Sequence, residues 1–301
     1  MMTLQRKFKE MDRALDRLER SYEHRLAVNY NNSLKEVRAK LSRLWEQTDG
    51  KFSESLKYNR LANLEKEISR EIGKLTGKNA NTLKAGLAYQ FAESYYRTGF
   101  VIEGEAQAKL GFGQLNPKVI ERAVENPLDR VGFLKRNRDN QALLTRQLNE
   151  RITQGLIQGK SYQQVARDVK ERFDVGAYKA MRIVQTESHR CQQQGRLDSL
   201  KQAESAGVKL KKVWVSSLDG STRDTHQDLD GQRVGVNEEF ESNGLTTEYP
   251  GGFGDPAEDI NCRCSTRGEI EGYELKVRRV RGEGIIEQTS YNEWKKQRIN
   301  N

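Results

Sequence analysis

Proline is scarce in this 301-residue chain: there are four, and none precedes Pro117. A stretch of that length without proline permits long, uninterrupted helices. Cysteine is rarer still, with three residues. That number excludes a disulfide-stapled extracellular scaffold and points to folding in a reducing cytoplasm. No run of 18 or more apolar residues occurs, so no membrane partner is expected. The opening MMTLQRKFKEMDRALDRLER lacks the apolar stretch of a secretory signal. Hydrophobic residues make up 35% of the chain against 32% charged ones. Core material is therefore thin, which suits long, partly exposed helices better than one globule. The length admits two domains of ordinary size.

Charge is what the chain has in quantity. The net +9 conceals three blocks. Residues 1–212 carry 41 Lys and Arg against 26 Asp and Glu; residues 213–274 carry 4 against 14; residues 275–301 carry 7 against 3. A basic body is able to neutralise phosphates with salt-dependent affinity. In the N-terminal helices acids interleave with the bases throughout, which favours solvated helix faces there. The candidate DNA contacts are Lys209, Lys211 and Lys212, with Arg278, Arg279 and Arg281 in the tail.

The pattern predicts an α+β protein. It has a mainly helical N-terminal body of long amphipathic helices, then a small loop-rich β-containing unit, then a terminal helix. Leu4, Phe8, Met11, Leu15, Leu18, Tyr22 and Leu26 recur at heptad-like spacing within one helix over residues 1–47. So narrow a stripe needs a partner helix, from this chain or a neighbouring subunit. A second helix is expected to end at Gly77 and a third to start near Leu83. Others are expected at 117–126, 138–157, 161–173 and 177–205. After Gly207 the alternating KLKKVWVSS predicts a strand carrying Trp214, and GQRVGV is the one further alternating run. The expected segments are 1–160, helical and a candidate docking region for portal or scaffold; 161–274; and a basic tail, 275–301, with a short helix.

Besides the basic run Lys209, Lys211 and Lys212, three clusters bear chemistry. Glu187 lies within a helical stretch and, if buried, requires a cation. Cys262 and Cys264 are two apart, so in extended backbone their sulfurs share a face. With His226 and an aspartate of 224–230 they offer a tetrahedral zinc site; the alternative is a pair of small thiols packed under a loop with little other core. A disulfide across so short a loop is strained. His226 with Asp224, Asp228 or Asp230 offers a divalent-cation nuclease site, although aspartates in a Gly-rich turn more often bond their own backbone. Cys191 is expected as a buried helix thiol. Catalysis is not the leading expectation.

The order of QTE (185–187), VWVSSLDGSTRDTHQDLDGQRV (213–234), GFGDPAEDINCRCS (252–265) and SYNEW (290–294) resembles the Mu F-like phage minor head proteins, the head-morphogenesis family. The family pattern places Arg before Thr-Glu, where this chain has Gln185. The resemblance covers roughly residues 160–294. It implies a structural virion protein made in the host cytoplasm and held inside the capsid. Its implied partners are the portal, capsid and scaffold proteins and double-stranded DNA, with roles in prohead assembly, genome packaging and ejection. It also implies that Glu187, Trp214, Arg223, His226, Asn261, Cys262 and Cys264 form one structural motif. Glu187 is then expected to pair with Arg223, tying helix to loop. Some relatives carry a toxin domain after this module, and the 27 residues after Glu274 are too few for one.

Overall fold

The N-terminal stripe becomes a single 45-residue helix. This is seen in a computed structural model that describes residues 4–56, 59–125, 132–217, 221–271 and 291–299. The helices are α1 (Leu4–Thr48), α2 (Phe52–Leu56), α3 (Arg60–Ala106), α4 (Pro117–Glu125), α5 (Phe133–Ile157), α6 (Tyr162–Ser205), α7 (Asp224–Asp228), α8 (Pro256–Asp259) and α9 (Tyr291–Ile299). The strands are β1 (Leu210–Val215), β2 (Arg233–Gly235), β3 (Phe240–Ser242), β4 (Leu245–Thr247) and β5 (Ser265–Ile270). The structure is 73% helical, so the expected α+β class with a dominant helical body holds.

Two expected helix breaks are absent. α3 runs through Gly77 and α6 through Gly176. An interior glycine costs about 1 kcal/mol relative to alanine, which is less than the burial flanking it provides. Leu75 and Leu83 are buried on either side of Gly77. At Gly176 a Cβ would lie 3.2 Å from Leu144 Cδ2, so the glycine admits a neighbouring helix instead of ending its own.

The chain divides into two compact units, one of Arg20–Ala85 and Val131–Val184, the other of Met1–Glu19, Gly86–Arg130 and Gln185–Asn301. The grouping cuts across the linear segments because α1, α3 and α6 each contribute residues to both. The first unit is helical, and its core is built from the apolar stripes of α1, α3, α5 and α6, including Leu26, Leu41, Ile68, Ile72, Leu148 and Val169. Buried amides fix the register. Asn140 Nδ2 donates to Tyr30 Oη at 3.1 Å and to the Gly176 carbonyl at 2.9 Å.

The second unit adds an antiparallel sheet, in the order β2-β1-β5, to its helices. Its larger core joins Phe8, Met11 and Leu15 of α1 to Tyr95, Tyr96 and Ile102 of α3, Leu197 and Leu200 of α6, Leu210 of β1 and Trp294 of α9. The partner of the N-terminal stripe therefore comes from this chain. A smaller core holds Trp214, Leu229, Phe240, Cys262 and Cys264. Strands β3 and β4 are joined by Asn243 and Gly244, both in the left-handed region, at φ 51° and 77°. An Asn-Gly pair of this kind matches the twist of a tight hairpin.

One close approach controls the packing of α3 on α6: a Cβ on Gly195 would lie 2.4 Å from the Phe91 carbonyl oxygen. Gly195→Ala should lose about 1–3 kcal/mol of unfolding free energy through overpacking. Gly104, exposed on α3 with nothing near its Cβ position, should gain about 0.5–1 kcal/mol on replacement by alanine. Urea unfolding of the two variants checks the opposite signs.

Candidate functional site: a buried His–Cys–Cys clasp

Asp255 starts the arrangement. Its side chain accepts the Ala257 N–H at 2.8 Å and, with Pro256 in the first turn, caps the short α8. The helix ends at Asp259, and two residues later Asn261, with a φ of 58°, turns the chain sharply. Asparagine tolerates that conformation better than most residues. Cys262, Arg263 and Cys264 follow and lead directly into β5. Asp259 Oδ1 and Oδ2 accept the N–H groups of Phe253 and Gly254 at 3.0 and 2.8 Å, which closes the loop on itself. Burial pushes the Asp259 carboxyl up to about 6 against those two donors.

His226, on α7, lies above the cysteines. Its ring stacks on Phe253 at 5.6 Å and meets the Trp214 ring edge-on at 5.6 Å. Nδ1 is 3.6 Å from Cys262 Sγ and 3.4 Å from Cys264 Sγ. These three ligand atoms lie within 4.8 Å of one another, and all three residues are buried. Nε2 is 2.9 Å from Glu258 Oε2, but off the line of a ring N–H, so the contact is electrostatic and not an aligned hydrogen bond. Thr225 Oγ1 donates to the same Glu258 oxygen at 2.9 Å. The hydrogen bond from Cys262 lowers the Cys264 thiol, helped by His226 and the Ser217 N–H, while Cys262 is raised by that bond and by burial. The group can hold a metal ion. It is the one group of three or more such ligands among the described residues.

Helix α6 receives this loop. The Asn261 N–H donates to Thr186 Oγ1 at 3.3 Å and the Thr266 N–H to Gln193 Oε1 at 3.1 Å. Arg196 donates to the Thr266 carbonyl and to Asp12 of α1. Glu187, 1% exposed, forms its ion pair with Arg190 at 3.0 Å, three residues along the same helix. Arg223 instead donates to the Ile260 carbonyl at 2.7 Å. The expected Glu187–Arg223 tie is thus replaced by Thr186–Asn261. Arg190 in turn donates to the Ala123 carbonyl of α4 at 2.9 Å, so its charge is used inside the protein.

Two further expectations are corrected. Lys212 is fully buried, its Nζ donating to the Glu248 carbonyl at 2.8 Å and lying 5.2 Å over the Phe240 ring, so it is not placed to reach phosphate. Burial lowers its pKa to about 8. Lys209 and Lys211 are exposed, with Lys211 paired to Glu271 at 3.0 Å. Arg278, Arg279 and Arg281 lie outside the described residues. The nuclease constellation does not assemble: Asp224, Asp228 and Asp230 are exposed and do not join the His226 group, and Asp230 accepts the Ser216 N–H at 2.9 Å. Glu258, Phe253, Thr186 and Arg190 were missed as members of the site. Arg190 had a readable signal, since i and i+3 share a helix face.

The profile of Phage Mu protein F like protein matches residues 146–267. Over 298 residues the chain is 33% identical to Minor head protein GP7 of Bacillus phage SPP1, covering 96% of both chains. The chain belongs to the phage Mu F-like family of minor head proteins. Membership assigns it a structural place in head morphogenesis as a virion component. It is also 31% identical over 272 residues to NAD(+)--arginine ADP-ribosyltransferase EFV of Enterococcus faecalis (strain ATCC 700802 / V583). That match covers 90% of this chain but 56% of EFV, so this chain spans about half of that protein. No solved structure matches. The Mu F-like match contains Glu187, Trp214, His226, Asn261 and both clasp cysteines, and ends inside β5.

Arg190→Ala leaves the buried Glu187 carboxylate without that guanidinium and should cost about 3–5 kcal/mol. Arg223→Ala removes a charged bond to a carbonyl and should cost about 1.5–3 kcal/mol. Arg233→Ala, which breaks an exposed ion pair with Glu269, should stay within about 1 kcal/mol. Chemical unfolding of the three variants tests that ranking.

Proposed function

We propose that this Mu F-like protein is a structural minor head protein that assembles at the portal vertex, inside the capsid. There it meets portal and scaffold subunits and packaged double-stranded DNA, and it serves prohead assembly, genome packaging and ejection. The observation that carries this reading is the likeness to GP7 across 96% of both chains. The nature of the site supports it. Its histidine and thiols are buried, Asp259 is engaged by backbone donors and Glu258 by Thr225, which suits holding shape and not turning over substrate. The nuclease alternative has no supporting constellation among the described residues. For DNA the supporting features are the basic balance of residues 1–212 and the exposed Lys209 and Lys211.

Affinity-tagged full-length chain, co-expressed with its portal and scaffold proteins, should bring down portal subunits and sediment with proheads. Proheads of normal composition that contain none of the chain would overturn the assignment. In gel shifts with duplex DNA, affinity should fall steeply with salt. The double substitution Lys209→Gln and Lys211→Gln should lower the slope of log K against log salt by about 0.9 for each phosphate that is no longer neutralised, and Lys212→Met should leave that slope unchanged.

A further inference from the structure

We propose that His226, Cys262 and Cys264 bind one structural zinc ion through Nδ1 and the two sulfurs, with Glu258 orienting the imidazole from its other nitrogen. This goes beyond the head-protein reading and does not depend on it.

The distances carry the inference. Zinc lies about 2.0–2.1 Å from an imidazole nitrogen and about 2.3 Å from a thiolate, so a tetrahedral ion holds nitrogen and sulfur about 3.5 Å apart. The two separations here are 3.4 and 3.6 Å. Both sulfurs face the same nitrogen, so the three donors converge on one point instead of forming a chain. A metal at Nδ1 leaves the ring proton on Nε2, the nitrogen that lies beside the Glu258 carboxylate. Metal-bound histidines commonly direct the remaining N–H at a carboxylate, which fixes the ring and raises its basicity. Glu258 Oε2 is the carboxylate oxygen beside Nε2, at 2.9 Å though off the line of its N–H, and it is itself held by Thr225.

The surroundings fit a structural ion. The three ligands are 1–3% exposed. The core they belong to has five buried members, two of which are these cysteines. A bound ion would add rigid cross-links to a satellite core with so few members. Both thiols are free, and a disulfide two residues apart is sterically poor. One imidazole and two thiolates form a donor set that suits zinc over magnesium or calcium. Both sulfurs ligate as thiolates, any proton still on them passing to solvent, so the two negative charges balance the 2+ charge of the ion. The three protein donors supply three of the four tetrahedral positions.

The test uses the full-length protein, purified without chelator. Elemental analysis should find one zinc per chain, and chelation should lower the melting temperature of the wild type. Replacing zinc by cobalt(II) should give the intense visible absorption of a tetrahedral thiolate site. The double variant Cys262→Ser, Cys264→Ser should lose the metal, while Cys191→Ser should keep it. Glu258→Gln should keep the fold and the cobalt spectrum but weaken zinc affinity by about 10- to 100-fold in competition with a chelating dye; Glu239→Gln, at an exposed acid, should not. Folded wild type that takes up neither zinc nor cobalt overturns the proposal, and this readout stands even if the double variant is insoluble. Zinc retained by a folded double variant also overturns it. Unchanged affinity in Glu258→Gln overturns the role given to Glu258.

Discussion

The mixed unit depends on one buried cation. Arg196, with no exposed surface, donates to the Thr266 carbonyl of β5 and to Asp12 of α1, and its guanidinium lies 5.6 Å over the Phe8 ring. Its two terminal nitrogens are engaged in this way, and removing either partner would strand a charge that has no water around it. The first helix, the long sixth helix and the last strand are thereby held to one geometry. Arg190 repeats the device less than two turns earlier, with Glu187 and the α4 carbonyls. Both cations sit where a less charged protein would place leucine, which fits a chain whose hydrophobic content is 35%.

That usage changes what the net charge means. Arg190, Arg196 and Lys212 are counted among the bases that make residues 1–212 electropositive, yet each is buried and bonded internally. An overall charge is informative about nucleic-acid binding only for the part that faces solvent. Around the first strand that part includes Lys209 and Lys211.

Much of the fold was legible, for identifiable reasons. The stripe of α1, the Asn116–Pro117 start of α4 and the alternation of β1 follow local rules, and all three elements form where those rules place them. The errors came where tertiary packing outweighed local preference. Gly77 read as a helix end and residues 174–176 as a gap between two helices, and both are helix interior. β5 was missed because Gly268 interrupts its pattern. A Cβ there would lie 2.8 Å from Leu200, so the gap in the pattern is itself the packing requirement. At the site, His226 and the two cysteines were visible as a spaced triplet, and Trp214 as the anchor of its strand. Glu258 was not, since nothing in DPAED says which acid faces a ring 32 residues earlier. Glu187 was assigned a distant partner when its partner was one turn away.

The order of the segments along the chain has a consequence for synthesis. The mixed unit is assembled from the two ends of the polypeptide and a piece of its middle. Arg196 and Asp12 are 184 positions apart, and Trp294 reaches back 191 positions to Glu103. On the ribosome, the helical unit has all its residues once Val184 has emerged. Phe8, Met11 and Leu15 must wait until β1 and α9 have been made. Until then α3 and α6 alone cover the greasy edge of the leading helix, and the nascent chain carries the remainder bare.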